Sequence, residues 1–411
     1  MKKSVLFICL MLWGVAAQAT NGFFANGVGT KSKGMAGAGV ALAQDALSGG
    51  LNPANLAWLE TRMDVGGMLL IVDTGFTAEE SGSTTGGTVP PGEHHSNMDL
   101  FLIPQFAYNH RLDEKSTVGV VTVLNGLSTE YDAALFSSFD TGATDPSGVD
   151  FYQAMIHVPY SRKITEKLAL GVAPILGIQA MRFRGFESFE SISAHTEDLS
   201  NNGFDFAFGL GVSGGLNYRV NDRLSLGLGV QSQVNMTKFH DYQGILAEEG
   251  NLDVPEAFQV GVAFQATPRL TLAADYQRIY YSNVTTIANS TTTAELGSDD
   301  GMSVGWEDAR VAKFGVQWQY DQDTVLRAGY SHCNQITPDE HGPFSLVAPA
   351  VGTNHFSIGL TKQLNNGHEF SVSLTHAPEK ELDGTNSLDS DQADTLEMEQ
   401  TELEITYGWR F

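Results

Sequence analysis

The residue strings in this chain that could do chemistry sit where that chemistry cannot operate. Gly211-Val212-Ser213-Gly214-Gly215 matches the G-x-S-x-G spacing of a serine nucleophile, and Gly209-Leu210-Gly211-Val212-Ser213-Gly214 matches the G-x-G-x-x-G of a dinucleotide loop. Both chemistries need their glycines at a sharp strand-to-helix turn, where a hydroxyl is presented or helix N–H groups meet a pyrophosphate. Here both strings run through one alternating segment. Phe204, Phe206, Phe208, Leu210, Val212, Leu216 and Tyr218 are interleaved with Asp205, Ala207, Gly209, Gly211, Ser213, Gly215 and Asn217, which is a strand with small residues on its polar face. Asp389, Asp391 and Asp394 are spaced for a divalent cation, but Ala393 interrupts them and no EF-hand glycine follows. They belong to an acidic, solvated loop expected over 379–397. His94 and His95 are adjacent rather than four apart, so no metal site is assigned. No serine and histidine are set together at one rim, as a membrane-embedded lipase would require, and no enzyme activity is expected.

Composition narrows the remaining classes. The 411 residues carry 23 Lys and Arg against 48 Asp and Glu, a formal charge of −25, which speaks against nucleic acid as a partner. Charged residues are only 17% of the chain, below the roughly 25% of a soluble domain. Lys2 and Lys3, the apolar run from Val5 to Ala17 and the small-x-small Ala17-Gln18-Ala19 read as a signal peptide over 1–19 that exports the chain. Cys9 leaves with it, and Cys333 alone cannot form an internal disulfide. No later run of about 18 apolar residues offers a transmembrane helix.

What positions the polar residues is a period of two. Leu403, Ile405, Tyr407, Trp409 and Phe411 alternate with Glu402, Glu404, Thr406, Gly408 and Arg410, and similar sets recur along the chain. Fourteen strands are read: 63–73, 98–110, 116–125, 150–161, 167–184, 203–219, 223–237, 254–266, 269–283, 307–320, 323–333, 352–364, 367–378 and 398–411. Short turns alternate with long polar loops such as 74–97, 126–149, 284–306 and 379–397. An even number of strands with turns at one end, loops at the other and an apolar outer face predicts an all-β, antiparallel transmembrane barrel in the outer membrane of a Gram-negative bacterium. Residues 20–62, rich in Gly and Ala, do not fit the strand pattern; they are expected to plug the lumen, leaving 63–411 as the barrel.

Several residues suit an apolar solute in that lumen. Phe23 and Phe24 could line a pocket from below. Lys313 and Arg327, on the polar faces of adjacent strands, point inward, either toward an anionic head group or toward inward Asp and Glu. In the outer loops, Phe186, Phe189 and Ile192 with Phe239, Tyr242, Ile245 and Leu246 form either a surface groove or ordinary loop packing.

Four stretches then show a family resemblance: Asn21-Gly22-Phe23-Phe24, Gly34-Met35-Ala36-Gly37-Ala38-Gly39-Val40-Ala41, Gln44-Asp45-Ala46 and Asn52-Pro53-Ala54-Asn55-Leu56. Together they resemble the N-terminal hatch of FadL/TodX-type outer-membrane transporters of long-chain fatty acids and aromatic hydrocarbons. Trp306-Glu307-Asp308, Lys313-Phe314-Gly315, Leu326-Arg327-Ala328-Gly329-Tyr330-Ser331 and Tyr407-Gly408-Trp409-Arg410-Phe411 are similar to the family's last strands. The resemblance implies a hatch-plugged barrel of fourteen strands. Hydrophobic solutes would pass from the outer loops into its lumen and leave sideways through the wall, without an energy source. It also implies an inward bend of the third strand, for which Gly119 and Asn125-Gly126 are the candidates, with Asn52, Pro53 and Ala54 facing the opening. A general polar diffusion porin is the alternative, although a porin narrows its channel with an inward loop and needs no N-terminal plug. The expected partners are the hydrophobic solute, outer-membrane lipids with lipopolysaccharide, and the barrel-assembly machinery, which would read the aromatic ending at Phe411. The chain is expected to act as a monomer, with no cofactor, no metal and no nucleic acid.

Overall fold

The computed structural model describes residues 21–83, 87–139, 144–291, 294–365 and 367–411; the expected signal peptide, 1–19, lies outside them. The alternating segments form strands β1 (Arg62–Ala78), β2 (Gly92–His95 and Leu100–Arg111), β3 (Ser116–Glu130) and β4 (Gly148–His157 and Tyr160–Lys163). They continue as β5 (Leu168–Arg184), β6 (Asp205–Asn221), β7 (Leu224–Gln231 and Asn235–Met236), β8 (Ala257–Thr267) and β9 (Leu270–Ile279). The last five are β10 (Ala309–Gln319), β11 (Thr324–Cys333), β12 (Asn354–Gln363), β13 (Glu369–Asn386) and β14 (Ala393–Arg410). Each pairs antiparallel with its neighbours, and β1 pairs with β14 from Arg62↔Arg410 to Ala78↔Asp394. The result is a closed fourteen-stranded barrel, with Glu340–His341 as a short loop strand running parallel to β13. Pairing of β1 with β14 removes the two terminal edges the sheet would otherwise present to lipid, where an unpaired peptide group costs several kcal/mol.

Local chemistry explains the short-turn end. Asp113 Oδ1 accepts from the N–H groups of Lys115 and Ser116, Asn221 Oδ1 from Arg223 and Leu224, and Asp321 Oδ1 from Asp323 and Thr324, at 2.7–3.0 Å. In each turn a side-chain oxygen takes the place of a backbone acceptor, so the chain reverses in a few residues. Both barrel termini lie at this end, which is the periplasmic end of an outer-membrane barrel. The outward rows, such as Phe206, Phe208, Leu210 and Val212, are exposed and form the lipid-facing belt.

Several strands run longer than the sequence reading. The segment expected as a loop over 379–397 is mostly wall, because β13 reaches Asn386 and β14 begins at Ala393. The alternation persists there, with Leu396 and Met398 buried inside, while charged residues replace apolar ones outside. The pattern therefore continues beyond the lipid but no longer looks greasy. Asp389 closes the remaining turn, its Oδ2 accepting from Ser81 Oγ at 2.5 Å.

Residues 21–61 lie inside the barrel, and the wall is thinned to admit them. A side chain at Gly171 would collide with Pro53 and Ala54, at Gly215 with Asn52, at Gly227 with Val40 and at Gly329 with Met35. Gly215, the last glycine of the G-x-S-x-G string, thus belongs to the floor on which this inner segment rests, while Gly211 packs against Val234.

Candidate functional site

The inner segment is fixed to the wall by buried polar contacts. Lys33 Nζ lies 2.6 Å from Glu402 and 3.7 Å from Glu404, alternate inward residues of β14. Lys31 pairs with Glu369, which also holds Arg62 at 2.5 Å and Arg410 at 2.7 Å. Asp275 Oδ2 on β9 accepts from the N–H groups of Gly39 and Val40 at 2.7 and 2.9 Å. Asn52 Nδ2 donates to the carbonyls of Val40 and Leu216, both at 2.9 Å, while its Oδ1 accepts from Ala54 N and caps the short 3-10 helix Pro53–Trp58. Ser161 Oγ donates to Pro53 O at 2.6 Å.

Among the described residues, a cavity lies on each side of Phe23 and Phe24. Phe23 forms the floor of the upper cavity, which is otherwise lined by residues such as Phe151, Phe183, Ile287, Phe344 and Val347. Its ring packs 4.7 Å from Trp306 and 5.1 Å from Phe151. The free space, about 50 Å3, is below the ~150 Å3 of an engineered apolar cavity that binds benzene. A solute therefore enters by moving side chains. Burial pushes the Tyr281 hydroxyl well above its ordinary pKa, so it keeps its proton and donates to Asn21 O, tying down the residue before Gly22. Gly22 has φ 68° and abuts Tyr281 and Trp306, so a side chain there is excluded twice over.

The lower cavity is mixed in character. Phe24, Val28, Leu51, Val123, Asn125 and Lys313 are among its lining residues. The side-chain amides of Asn125 have no hydrogen-bond partner among the described residues. Ser213 also lies here, with His157 Nδ1 at 3.4 Å from its Oγ, a proximity the sequence did not reveal. Among the described residues His157 Nε2 has no partner, and Ser213 lies mid-strand, so neither the orienting acid nor the elbow of a hydrolase accompanies them there.

Beside this cavity the wall is open. β2 and β3 pair from Arg111↔Thr117 to Ala107↔Val121, and the ladder then stops. The strands meet again where Asn97 N donates to Glu130 O at 2.8 Å. On their other sides both are fully paired, β2 with β1 and β3 with β4. The seam lies within the apolar belt, since Leu102 of β2 is in register with Leu69, which is in register with Leu403, and both Leu102 and Leu403 are exposed. Pro104, in the unpaired stretch, has no N–H to leave unsatisfied.

These placements correct several expectations. Gly119 is not where β3 departs: it pairs regularly with Asn109 and donates its N–H to Pro159 O at 2.8 Å. Asn125 and Gly126 do lie in the unpaired stretch. Asn52, Pro53 and Ala54 face β4, β5 and β6 rather than the seam; Val28, Gly50 and Leu51 stand against Val123 instead. Lys313 is fully buried and donates to Asn26 O of the inner segment at 2.7 Å while bordering the lower cavity. Arg327 borders neither cavity; it donates to Gln317 at 3.1 Å and to Thr361 at 2.7 Å.

The outer-loop set is interior rather than a surface groove. Phe186, Phe189, Phe239, Tyr242 and Ile245 are fully buried, and Ile192 packs against them. Phe186 stacks on Phe344 at 5.5 Å, and only Ile245 and Leu246 reach the upper cavity. Burial pushes the Tyr242 hydroxyl up to about 12, in keeping with its donation to Gly203 O. Sequence reasoning missed Ile287, Met302 and Val304, inside a loop taken as polar, and Phe344 and Val347 in the short helix Pro343–Val347. The apolar run Pro343-Phe344-Ser345-Leu346-Val347 was the available signal. Thr129 and Tyr131, at the top of β3, hold this helix through the carbonyls of Val347 and Leu346 at 2.5 and 2.9 Å.

A closed outer-membrane barrel, filled by its own N-terminal segment and open along one seam of its wall, is the class that fold and interior define. Within it, the chain belongs to the outer membrane protein transport protein family (OMPP1/FadL/TodX), whose profile matches residues 12–205 and 247–408. Outer membrane protein P1 of Haemophilus influenzae is 22% identical over 430 residues, spanning 91% of this chain and 89% of that protein. The fold is similar to the toluene transporter TodX of P. putida, with TM-score 0.69 and 18% identity over 94% of this chain and 99% of that one. It is equally similar to a Pseudomonas aeruginosa FadL homologue, with TM-score 0.69 and 14% identity over 95% and 99%.

Proposed function

We propose that this protein is a passive outer-membrane channel for hydrophobic small molecules, with residues 20–62 as its hatch. A solute enters the upper cavity beneath the outer loops, passes Phe23 and Phe24 into the lower cavity, and leaves through the β2–β3 seam into the membrane. The observation that carries this reading is the missing ladder between β2 and β3, at the height of the apolar belt and next to Val123 and Asn125. Unpaired backbone is tolerated at membrane depth only where it lines a cavity, which the lower cavity provides. Transfer of apolar surface into lipid is downhill, so no energy source is required. A polar porin is disfavoured by the aromatic floor of the upper cavity.

The upper cavity has no charged lining residue among those described, which favours an uncharged hydrocarbon. The names of TodX and TbuX, toluene transporters that share this fold, support the same class. A long-chain fatty acid is the second reading, favoured by Lys313 and the free Asn125 amide at the lower cavity. The test is uptake of toluene and of oleate by cells carrying wild type or Asn125→Trp at matched surface levels. Uptake of both should fall by about tenfold, a barrier of about 1.4 kcal/mol, while heat-shifted gel migration stays intact. Unchanged uptake by a folded variant would overturn the lateral route.

A further inference from the structure

The lipid-facing wall of β8 to β11 is not uniform. Phe264, Leu272, Phe314 and Tyr330 stand around the small side chains of Ala274 and Ala328, leaving an apolar furrow on the outside of the barrel. Toward the loop end the next outward residue of β10 is the small Ala312, which lies between its register partners Tyr276 and His332. One outward position further come Arg278 and Arg310, directly opposite each other on adjacent strands. Like charges so placed repel, and a chain with 48 acidic and 23 basic residues had acids to spare for either position. Asp308 takes up Arg278 at 2.8 Å, and the Arg278 guanidinium also lies over the Tyr280 ring at 4.6 Å. The Arg310 guanidinium has no hydrogen bond or ion pair among the described residues and is exposed.

We propose that this furrow and its two arginines bind one lipopolysaccharide molecule of the outer leaflet, with acyl chain in the furrow and a lipid A phosphate on Arg310 and Arg278. A guanidinium fork fits phosphate oxygens, and an anion between the two arginines removes their repulsion. The position selects the lipid: the arginines lie at the long-loop end of the wall, where the outer leaflet has its head groups, and away from the periplasmic turns where phospholipid head groups lie. The proposal is independent of the transport route, since no residue in it borders either cavity or the seam.

Native mass spectrometry of the detergent-purified full chain tests it, with lipid A carrying both phosphates as the probe. The double variant Arg278→Gln, Arg310→Gln should retain about tenfold less lipid A than wild type, as expected for losing a charge-assisted phosphate contact. Ala274→Phe, which fills the furrow and keeps both charges, should also lose binding, whereas Lys362→Gln near the periplasmic turns should not. Dephosphorylated lipid A should bind wild type as weakly as intact lipid A binds the double variant. Heat-shifted migration shows that each variant is folded. Equal retention by wild type and the double variant would overturn the proposal. So would equal retention of phosphatidylglycerol, because that would make the surface a general anion patch.

Discussion

Phe106 and Thr122 close the lower end of the wall seam through a side chain instead of a ladder. Thr122 Oγ1 accepts from Phe106 N at 3.1 Å and donates to Phe106 O at 3.0 Å. The hydroxyl satisfies both backbone groups of Phe106 and holds the two strands one side chain apart. Above it they diverge. A backbone pair at this point would continue the zipper, so Thr122 marks where pairing ends.

Thr122→Val keeps the shape and removes both hydrogen bonds. At about 0.5–1.5 kcal/mol each, their loss should lengthen the seam downward and speed amide exchange at Phe106 by about tenfold or more. Exchange at Asn109, in the paired part of the strand, should be unchanged. Mass-resolved hydrogen exchange of the protein in detergent checks this, and equal protection at Phe106 in both proteins would show that the hydroxyl does not hold the seam end.

Phe23 separates the two cavities, and its ring is held by Trp306 and Phe151. Phe23→Ala should merge the cavities into one passage. A buried Phe→Ala change costs about 3–5 kcal/mol of local packing, a loss that falls on the inner segment while the hydrogen-bonded wall survives. Liposomes containing the variant should swell in small sugars several times faster than those with wild type. Trp306→Ala, which removes the supporting ring, should have the same sign and a smaller size.

Lys33 sits between Glu402 and Glu404, and all three are buried. Lys33→Met leaves two uncompensated carboxylates facing the inner segment, and breaking a buried pair in this way costs about 3–5 kcal/mol. Protease added to the short-turn side should cut within 21–61 in the variant and spare the wild type. Restoring balance with Glu402→Gln in the same chain should recover part of the protection, which a plain folding defect would not.

The period of two in the sequence was enough to give the barrel, its strand number and its orientation, because in lipid every outward position must be apolar and every backbone group paired. The extra length of β13 and β14 was hidden, since above the membrane the outward residues become charged while Leu396 and Met398 still face inward. Lys313 and Arg327 were legible as inward cations for the same periodic reason. Which of them borders a cavity depends on where the inner segment runs, and that segment has no period to read.

By itself, then, the sequence determined which face of each strand meets lipid and which meets the lumen, because side-chain direction alternates strictly along a strand. It also placed Gly and Ala densely through 20–62, with Phe23 and Phe24 near the start of that segment. Only the tertiary structure decided that the wall opens between β2 and β3 above Thr122 and that Asn52, Pro53 and Ala54 brace β4, β5 and β6 instead of the seam. It also buried Phe186, Phe239 and Tyr242 rather than lining a groove with them. Pairing between strands is a property of two chain segments at once. A ladder that stops is invisible in either strand alone, because the residues on both sides of the seam keep the alternation of a paired wall.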